Sequence, residues 1–336
     1  MKKTLWVLPI ILFIFFESCS DEFNINAPYE DVYVLNCILR NDNSIQYAII
    51  SKNTFTENGV APASDSIDQN IKGADIKIFY NDSVFVMRDT TIELTDAGSI
   101  TPVNCYYAKD LNISPGKVIR IEASVPDGKK LESTIQVQQI SFAKFSLQFP
   151  QVLQPDYQNS YFGYQERPYY NWSWTGDNAN ITNILCLPQL EIYYKKYEEG
   201  AYVNKKILVP LAFYYIYDEN KNLTPVNVEL SFNNSCLTTL ETINKTMQEI
   251  SGDDPNKKKY IINKALFSVI SLDPDLSRFY SASNTYSEDF TIKLRQTDYS
   301  NIDGGKGIFG AYYKFSELLA INSLYISSFG YQYDPE

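Results

Sequence analysis

Histidine is absent from all 336 residues. That excludes Ser-His-Asp and Cys-His nucleophilic catalysis in their usual form, and every zinc or haem site that needs an imidazole. Cysteine is sparse, with five residues and no C-x-x-C pair, so zinc-ribbon and thioredoxin-like chemistry has no footing. No D-x-D-x-D-G calcium loop occurs, although Asp253-Asp254 and the stretch Asp218 to Asn222 carry oxygen ligands. No metal and no cofactor is expected. Basic residues number 29 against 40 acidic ones, a net charge of −11. An acidic surface repels phosphate backbones, which argues against a nucleic-acid partner.

Long apolar runs are equally scarce, and the longest stands at the very start. Lys2 and Lys3 precede Trp6 to Phe16, an h-region of about ten residues, too short to cross a ~30 Å hydrocarbon core as a helix. Ser18 and Cys19 follow, and this ending resembles the lipobox of bacterial lipoproteins. The resemblance implies a signal peptide over 1–18, acyl chains such as palmitate on Cys19, and a tether over 19–30; Glu17 departs from the pattern. An ordinary signal peptide that stops near a cysteine is the alternative. Without residues 1–18 the chain loses two lysines and one glutamate and carries −12, so the lipid would be its sole hold on a membrane. Ser20, Asp21 and Glu22 resemble the acidic export signal that sends Bacteroidota lipoproteins to the outer face of the outer membrane. A periplasm-facing lipoprotein is the other possibility.

What is abundant is aromatic. Tyrosine occurs 27 times and phenylalanine 19, against three methionines, a bias suited to pleated sheet. Residues 31–136 read as strands separated by turns, from Val32 to Leu39, Ile45 to Ile50, Ala74 to Phe79 and Val84 to Val86. Leu111 to Ser114 then reads as a strand ending at Pro115-Gly116, with Val118 to Ile121 following and Asp127-Gly128 marking a hairpin. This spacing predicts a mainly β chain whose N-terminal part is an immunoglobulin- or transthyretin-like sandwich. Pro150 and Pro155 bracket a connection over 137–155.

Residues 156–336 predict a second, fibronectin-III-like sandwich interrupted by two short helices. Tyr170 to Trp174 alternates aromatics on one face, and Leu185 to Tyr194 and Leu208 to Tyr215 continue the strands. Leu237, Leu240, Ile243, Met247 and Ile250 recur at helical steps, with Gly252 where a C-cap glycine belongs, placing one helix near 237–250. Pro274 opens the other, near 274–282, carrying Leu276, Phe279 and Tyr280.

Four glycines fall within seven residues at Gly304, Gly305, Gly307 and Gly310, after Asn301-Ile302 and around Ile308-Phe309. Such a run permits positive φ and close backbone approach, and Asn301, Gly304, Gly305, Gly307 and Phe309 are therefore expected to form a structural loop. Together with the N-terminal cysteine motif, Val32 to Asn36, Gly73 to Ile76, and Val118 to Glu122 before Asp127-Gly128, the chain resembles the Bacteroidota outer-membrane lipoproteins catalogued as domain-of-unknown-function family 4249. That resemblance implies a partner, a TonB-dependent β-barrel receptor in the outer membrane, but neither a ligand nor catalytic residues. Asp65-Ser66-Ile67, Asp82-Ser83-Val84 and Asp89-Thr90-Thr91 also resemble the O-glycosylation tripeptide of that phylum.

Candidate binding residues are Tyr161, Phe162, Tyr164 and Tyr169, whose apolar faces and polar tips suit sugars or a partner surface. Trp172 and Trp174 read as sandwich core. Tyr193, Tyr194, Tyr197 and Tyr202, with Lys195 and Lys196, read as a solvated strand pair. Cys37 with Cys105, and Cys186 with Cys236, are conceivable disulfides, and four buried thiols are the equal alternative. Paired acids such as Asp218-Glu219 and Glu198-Glu199 are what glycoside hydrolysis would need, but they sit in charged turns. The expectation is a non-enzymatic, lipid-anchored accessory that captures an unknown small ligand for, or docks against, a transporter. A structural or adhesive envelope subunit is the alternative, and a carboxylate hydrolase the remote one.

Overall fold

The structure, a computed structural model, describes residues 32–53, 70–96, 99–142, 169–176, 183–219, 221–283, 299–319 and 321–334. The chain is mainly β, as the alternating apolar pattern predicts. In chain order come β1 (Val32–Arg40), β2 (Gln46–Asn53), β3 (Asp75–Tyr80), β4 (Ser83–Val86), β5 (Arg88–Asp96), β6 (Ser99–Ala108), β7 (Val118–Ser124), β8 (Lys130–Gln136) and β9 (Ile140–Phe142). There follow β10 (Tyr169–Gly176), β11 (Cys186–Glu198), β12 (Ala201–Leu208), β13 (Ala212–Tyr217), β14 (Leu223–Asn227), β15 (Ser235–Thr239) and helix α1 (Leu240–Glu249). The last elements are β16 (Tyr260–Leu272), α2 (Pro274–Ser283), β17 (Lys306–Leu319), α3 (Ser323–Ser328) and β18 (Gln332–Tyr333).

One nine-stranded sheet runs β12-β11-β16-β17-β1-β2-β6-β5, with β18 beside β16. It draws strands from both sides of the stretch 137–155, where a boundary between two separate sandwiches was expected. The joint is the parallel pairing of β1 with β17, where Val34 meets Lys306 and Arg40 meets Tyr312. Each half keeps its own core, and β17 contributes to both. Local periodicity shows that a segment is a strand but not which strand lies beside it, so this long-range partner was invisible.

Two smaller sheets cover one face of the large one. The four-stranded sheet β4-β3-β7-β8 packs Ile76, Ile78, Ile119, Ile121, Leu131 and Ile135 against Leu35, Cys37, Leu39, Ile50 and Phe309. The five-stranded sheet β14-β13-β15-β10-β9 brings Trp172, Trp174 and Cys236 against Leu190, Ile192, Phe267 and Val269. Strand β17 serves both cores on the same face, Phe309 and Ala311 in the first and Phe315 and Leu319 in the second. At ~3.3 Å per residue its 14 residues extend roughly 45 Å. Trp172 stacks on Phe267 with centroids 5.1 Å apart, a contact that adds about 1 kcal/mol to its area burial. Both tryptophans are thus core.

Helix α1 starts later than its apolar spacing suggests. Leu237 belongs to β15, and the Thr239 hydroxyl accepts the Thr242 N–H at 3.1 Å, capping the helix there. Ile243 and Met247 then face the second core, and Gly252 turns with φ +52°. Helix α2 is capped by Asp273, whose Oδ1 accepts the Leu276 N–H at 2.8 Å, with Pro274 in the first turn. It lies on the opposite face of the large sheet, where Leu276 and Phe279 pack with Leu187, Ile270, Ile308 and Tyr312. Gly310 permits this approach, since a Cβ there would lie 2.9 Å from Leu276 Cβ. The third helix, α3, was not anticipated; Asn322 caps it, accepting from the Leu324 and Tyr325 N–H groups.

Leu111 to Ser114 is not a strand. Leu111 and Ile113 are buried in a loop, and the Leu111 carbonyl accepts from the Gln46 side chain at 3.2 Å instead of from a ladder partner. Apolar residues two apart satisfied the period-2 pattern without any neighbour to pair with.

Candidate functional site

Cys19, Ser20, Asp21, Glu22, Tyr161, Phe162 and Tyr164 lie outside the described residues. Tyr169 opens β10, its main chain opposite Thr239, and its side chain likewise falls outside. The possible disulfides are not formed: Cys37, Cys105, Cys186 and Cys236 are free, buried thiols. Cys37, Cys186 and Cys236 lie in the apolar cores, and burial alone pushes the Cys37 thiol up to about 12 and the Cys105 thiol to about 11. Such thiols are small hydrophobes rather than nucleophiles.

The glycine-rich loop proves to be a seam. The Asn301 amide donates to the Phe309 carbonyl at 2.7 Å and accepts the Phe309 N–H at 2.9 Å. Asp303 exchanges backbone hydrogen bonds with Glu132 of β8 at 2.8 and 3.1 Å, so the loop ties the four-stranded sheet to β17. A Cβ on Gly304 would fall 2.2 Å from the Lys130 carbonyl oxygen, and one on Gly307 2.1 Å from that of Leu35. Gly305 is equally confined, between Leu131 and the Tyr33 carbonyl. These residues hold architecture together.

Both acid pairs sit at turns. Glu199 and Gly200 form the β11–β12 turn, at φ 49° and 91°, while Glu198 accepts from Lys196 at 2.8 Å and Lys205 at 2.7 Å. Those two ammonium groups hold the Glu198 carboxyl down at about 2, fixed as a charged acceptor. Asp218 caps its own turn, accepting the Asn222 N–H at 2.7 Å. Among the described residues no group of three or more Cys, Asp or Glu side chains is arranged to hold a metal ion.

The chemistry the sequence did not point to lies on the second face of the large sheet, beyond the edge of α2. Across four strands Leu208, Glu191, Leu266 and Leu318 stand in one row, and Lys206, Tyr193 and Lys264 in the next. Leu208 is 54% exposed and Leu318 56%, whereas Glu191 between them is 2% exposed. Its Oε1 meets Lys206 Nζ at 2.5 Å, and its Oε2 accepts from the Tyr193 hydroxyl at 2.9 Å and from Lys314 Nζ at 3.4 Å. Burial pushes the Glu191 carboxyl up, but Lys206, Lys314 and Tyr193 outweigh it and leave the group below its ordinary value. Burial and then Glu191 raise the Tyr193 hydroxyl to about 12. The Lys264 ammonium lies 5.8 Å from the Tyr193 ring centroid. A glutamate inside the apolar run Leu190-Glu191-Ile192 was the one available signal.

Further along the same hairpin Tyr197 pairs with Tyr202, rings edge to face at 5.2 Å, both more than two-fifths exposed. The solvated strand pair expected there is what β11 and β12 form, although Tyr194 turns inward against Tyr260. A second exposed set stands on the β13–β14 ribbon, where Tyr214, Ile216 and Tyr217 are 49–63% exposed.

These features define a layered β protein in which two small sheets share one large one, with a lysine- and leucine-bearing sheet face that, among the described residues, no element covers beyond α2. The family model described as "Domain of unknown function (DUF4249)" matches residues 20–317, and the chain belongs to that family. No curated protein matches it.

Proposed function

We propose that this protein is a lipid-anchored, non-enzymatic binding protein of the outer membrane that docks against a TonB-dependent β-barrel transporter. The observation that carries the reading is the uncovered face of the large sheet. Large apolar side chains such as Leu208 and Leu318 are left in water beside a built ionic cluster, which is how interaction surfaces differ from ordinary solvated strands. The Cys19 motif supplies the location, with a thioether-linked diacylglyceryl anchor and fatty acyl chains such as palmitate. Confinement to the membrane raises the effective concentration beside a partner without any new contact. Ser20-Asp21-Glu22 directs the chain to the cell exterior in this scheme.

An affinity pull-down from mildly detergent-solubilised outer membrane tests the reading, with Cys19→Ala as the control. Stoichiometric recovery of a β-barrel receptor with the wild type, and its loss with the control, is the expected result. Recovery of the lipoprotein alone would refute the transporter partnership.

A further inference from the structure

A chain of net charge −11 has few lysines to spare, yet four of them share one face of β12, β11, β16 and β17. Lys195 is answered by Asp334 at 3.2 Å. Lys206 and Lys314 are answered by one carboxylate, that of Glu191, and Lys264 by the Tyr193 ring. At the border of the face Arg40 is matched by Asp42 at 2.5 Å. Two positive charges therefore remain, held within a few strands of each other and flanked by Leu208 and Leu318. With strands ~4.8 Å apart, those two leucines stand roughly 14 Å from each other, three strand spacings.

From this arrangement we infer that the open face binds an acidic polypeptide surface whose carboxylates alternate with apolar side chains. The inference rests on the binding-protein reading above and adds the chemistry of the partner. Rows of the sheet repeat every two residues, ~6.7 Å, the spacing of same-face side chains on any strand laid along them. A strand laid along β16 sets a carboxylate on Lys264 and its next same-face apolar group on Leu266, and one laid along β12 does the same for Lys206 and Leu208. Glu191 is already neutralised and buried, so it organises Lys206 and Lys314 without repelling an incoming acid. An anionic bilayer fits less well. Beyond a Debye length of ~8 Å the field is that of the whole acidic chain, and only short-range contacts can feel the local lysines.

The full chain carrying Cys19→Ala is titrated with a soluble β-hairpin peptide bearing Glu and Leu alternately on one face. Its counterpart with Lys for Glu, and vesicles of phosphatidylcholine with phosphatidylglycerol, are run beside it. The Glu hairpin is expected to bind, with affinity falling on the order of tenfold in the double variant Lys206→Glu, Lys264→Glu and with rising salt. Leu318→Ser, which removes exposed apolar area and no charge, is expected to weaken it several-fold with salt dependence unchanged. All three positions are solvent-facing, but Lys206→Glu also removes a partner of buried Glu191 and is expected to lower the thermal midpoint. Lys264→Glu alone is therefore run beside the double variant, and an unchanged far-ultraviolet circular dichroism spectrum confirms folding. Equal binding of the Lys hairpin, indifference to the charge reversals, or vesicle binding that exceeds peptide binding and is lost in the same variant would each overturn the inference. A receptor that still co-purifies with Lys206→Glu, Lys264→Glu would move its contact elsewhere and leave the transporter partnership standing.

Discussion

Asn301 stands to Phe309 as a neighbouring strand residue would, its side-chain amide giving one hydrogen bond and taking the other, at 2.7 and 2.9 Å. A second asparagine repeats the device five residues on: Asn41 donates to the Lys314 carbonyl at 3.1 Å and accepts the Lys314 N–H at 2.6 Å. Strand β17 thus has its main-chain groups satisfied by side chains at points where no strand reaches them.

Asn301→Ala leaves a donor and an acceptor of the Phe309 main chain without partners, at about 2–4 kcal/mol for the two. Asn301→Asp is expected to be no better, since it restores the acceptor but sets a carboxylate oxygen against the Phe309 carbonyl. Urea midpoints of the two variants check this, and loss in the alanine variant alone would contradict it.

Gly307 and Gly73 both have positive φ, +111° and +75°, but differ in their surroundings. Around Gly73 nothing lies within 4 Å of an added Cβ, so Gly73→Ala costs only the conformational term, about 1–2 kcal/mol. Gly307→Ala also drives the methyl into the Leu35 carbonyl at 2.1 Å and forces β1 and β17 apart. Its thermal midpoint is expected to fall much further, and equal shifts would show that the seam can give.

Glu191 has a depressed folded value, so its contribution is whole above its unfolded value of about 4.5 and is lost as pH falls through the folded one. Glu191→Gln is expected to lower stability by about 2 kcal/mol at pH 7, less than for a fully enclosed pair because Lys206 is 58% exposed. The gap should narrow as pH falls through that depressed folded value. A difference constant from pH 3 to 8 would mean that packing, not charge, is lost.

Asp273 carries the opposite sign. Burial raises it to about 7, against the pull of the Leu276 and Ala311 amides, so its folded value exceeds the unfolded 3.8. Its contribution is whole below about pH 4, declines as pH rises towards 7 and is level above. Asp273→Asn keeps the cap on α2 but faces the Ala311 N–H with a donor or gives up the cap. The variant is expected to be less stable throughout, with the gap from wild type widest at pH 4 and narrower at pH 8, read from denaturant midpoints.

Cys37, Cys105, Cys186 and Cys236 are expected to ignore a thiol reagent in native buffer and to react in denaturant without prior reduction. Silence in denaturant until a reductant is added would mean that they pair.

The local half of this fold was legible. In β1 the strand was legible but not its face, since Val32, Val34 and Ile38 are half-buried and the buried set is Tyr33, Leu35, Cys37 and Leu39. Asp127-Gly128 turns the chain where its types require. Leu237 misled because an apolar residue in helical phase can equally be the end of a strand when Thr239 caps behind it. The β1–β17 pairing spans some 270 residues of sequence and left no trace in either segment. The candidate surface was half legible: Tyr197 and Tyr202 announced a solvated hairpin. Lys206, Lys264, Lys314 and Leu318 meet through register alone, which no single strand encodes.

Because β1 is an interior strand whose first described residue is Val32, any pull entering from the N-terminal side acts along its axis. It is then loaded in shear against β17 from Val34 to Arg40 and against β2 from Val32 to Cys37 at once. Those ladders must yield together instead of unzipping bond by bond. A tension reaching Val32 would therefore meet two hydrogen-bonded ladders loaded side by side.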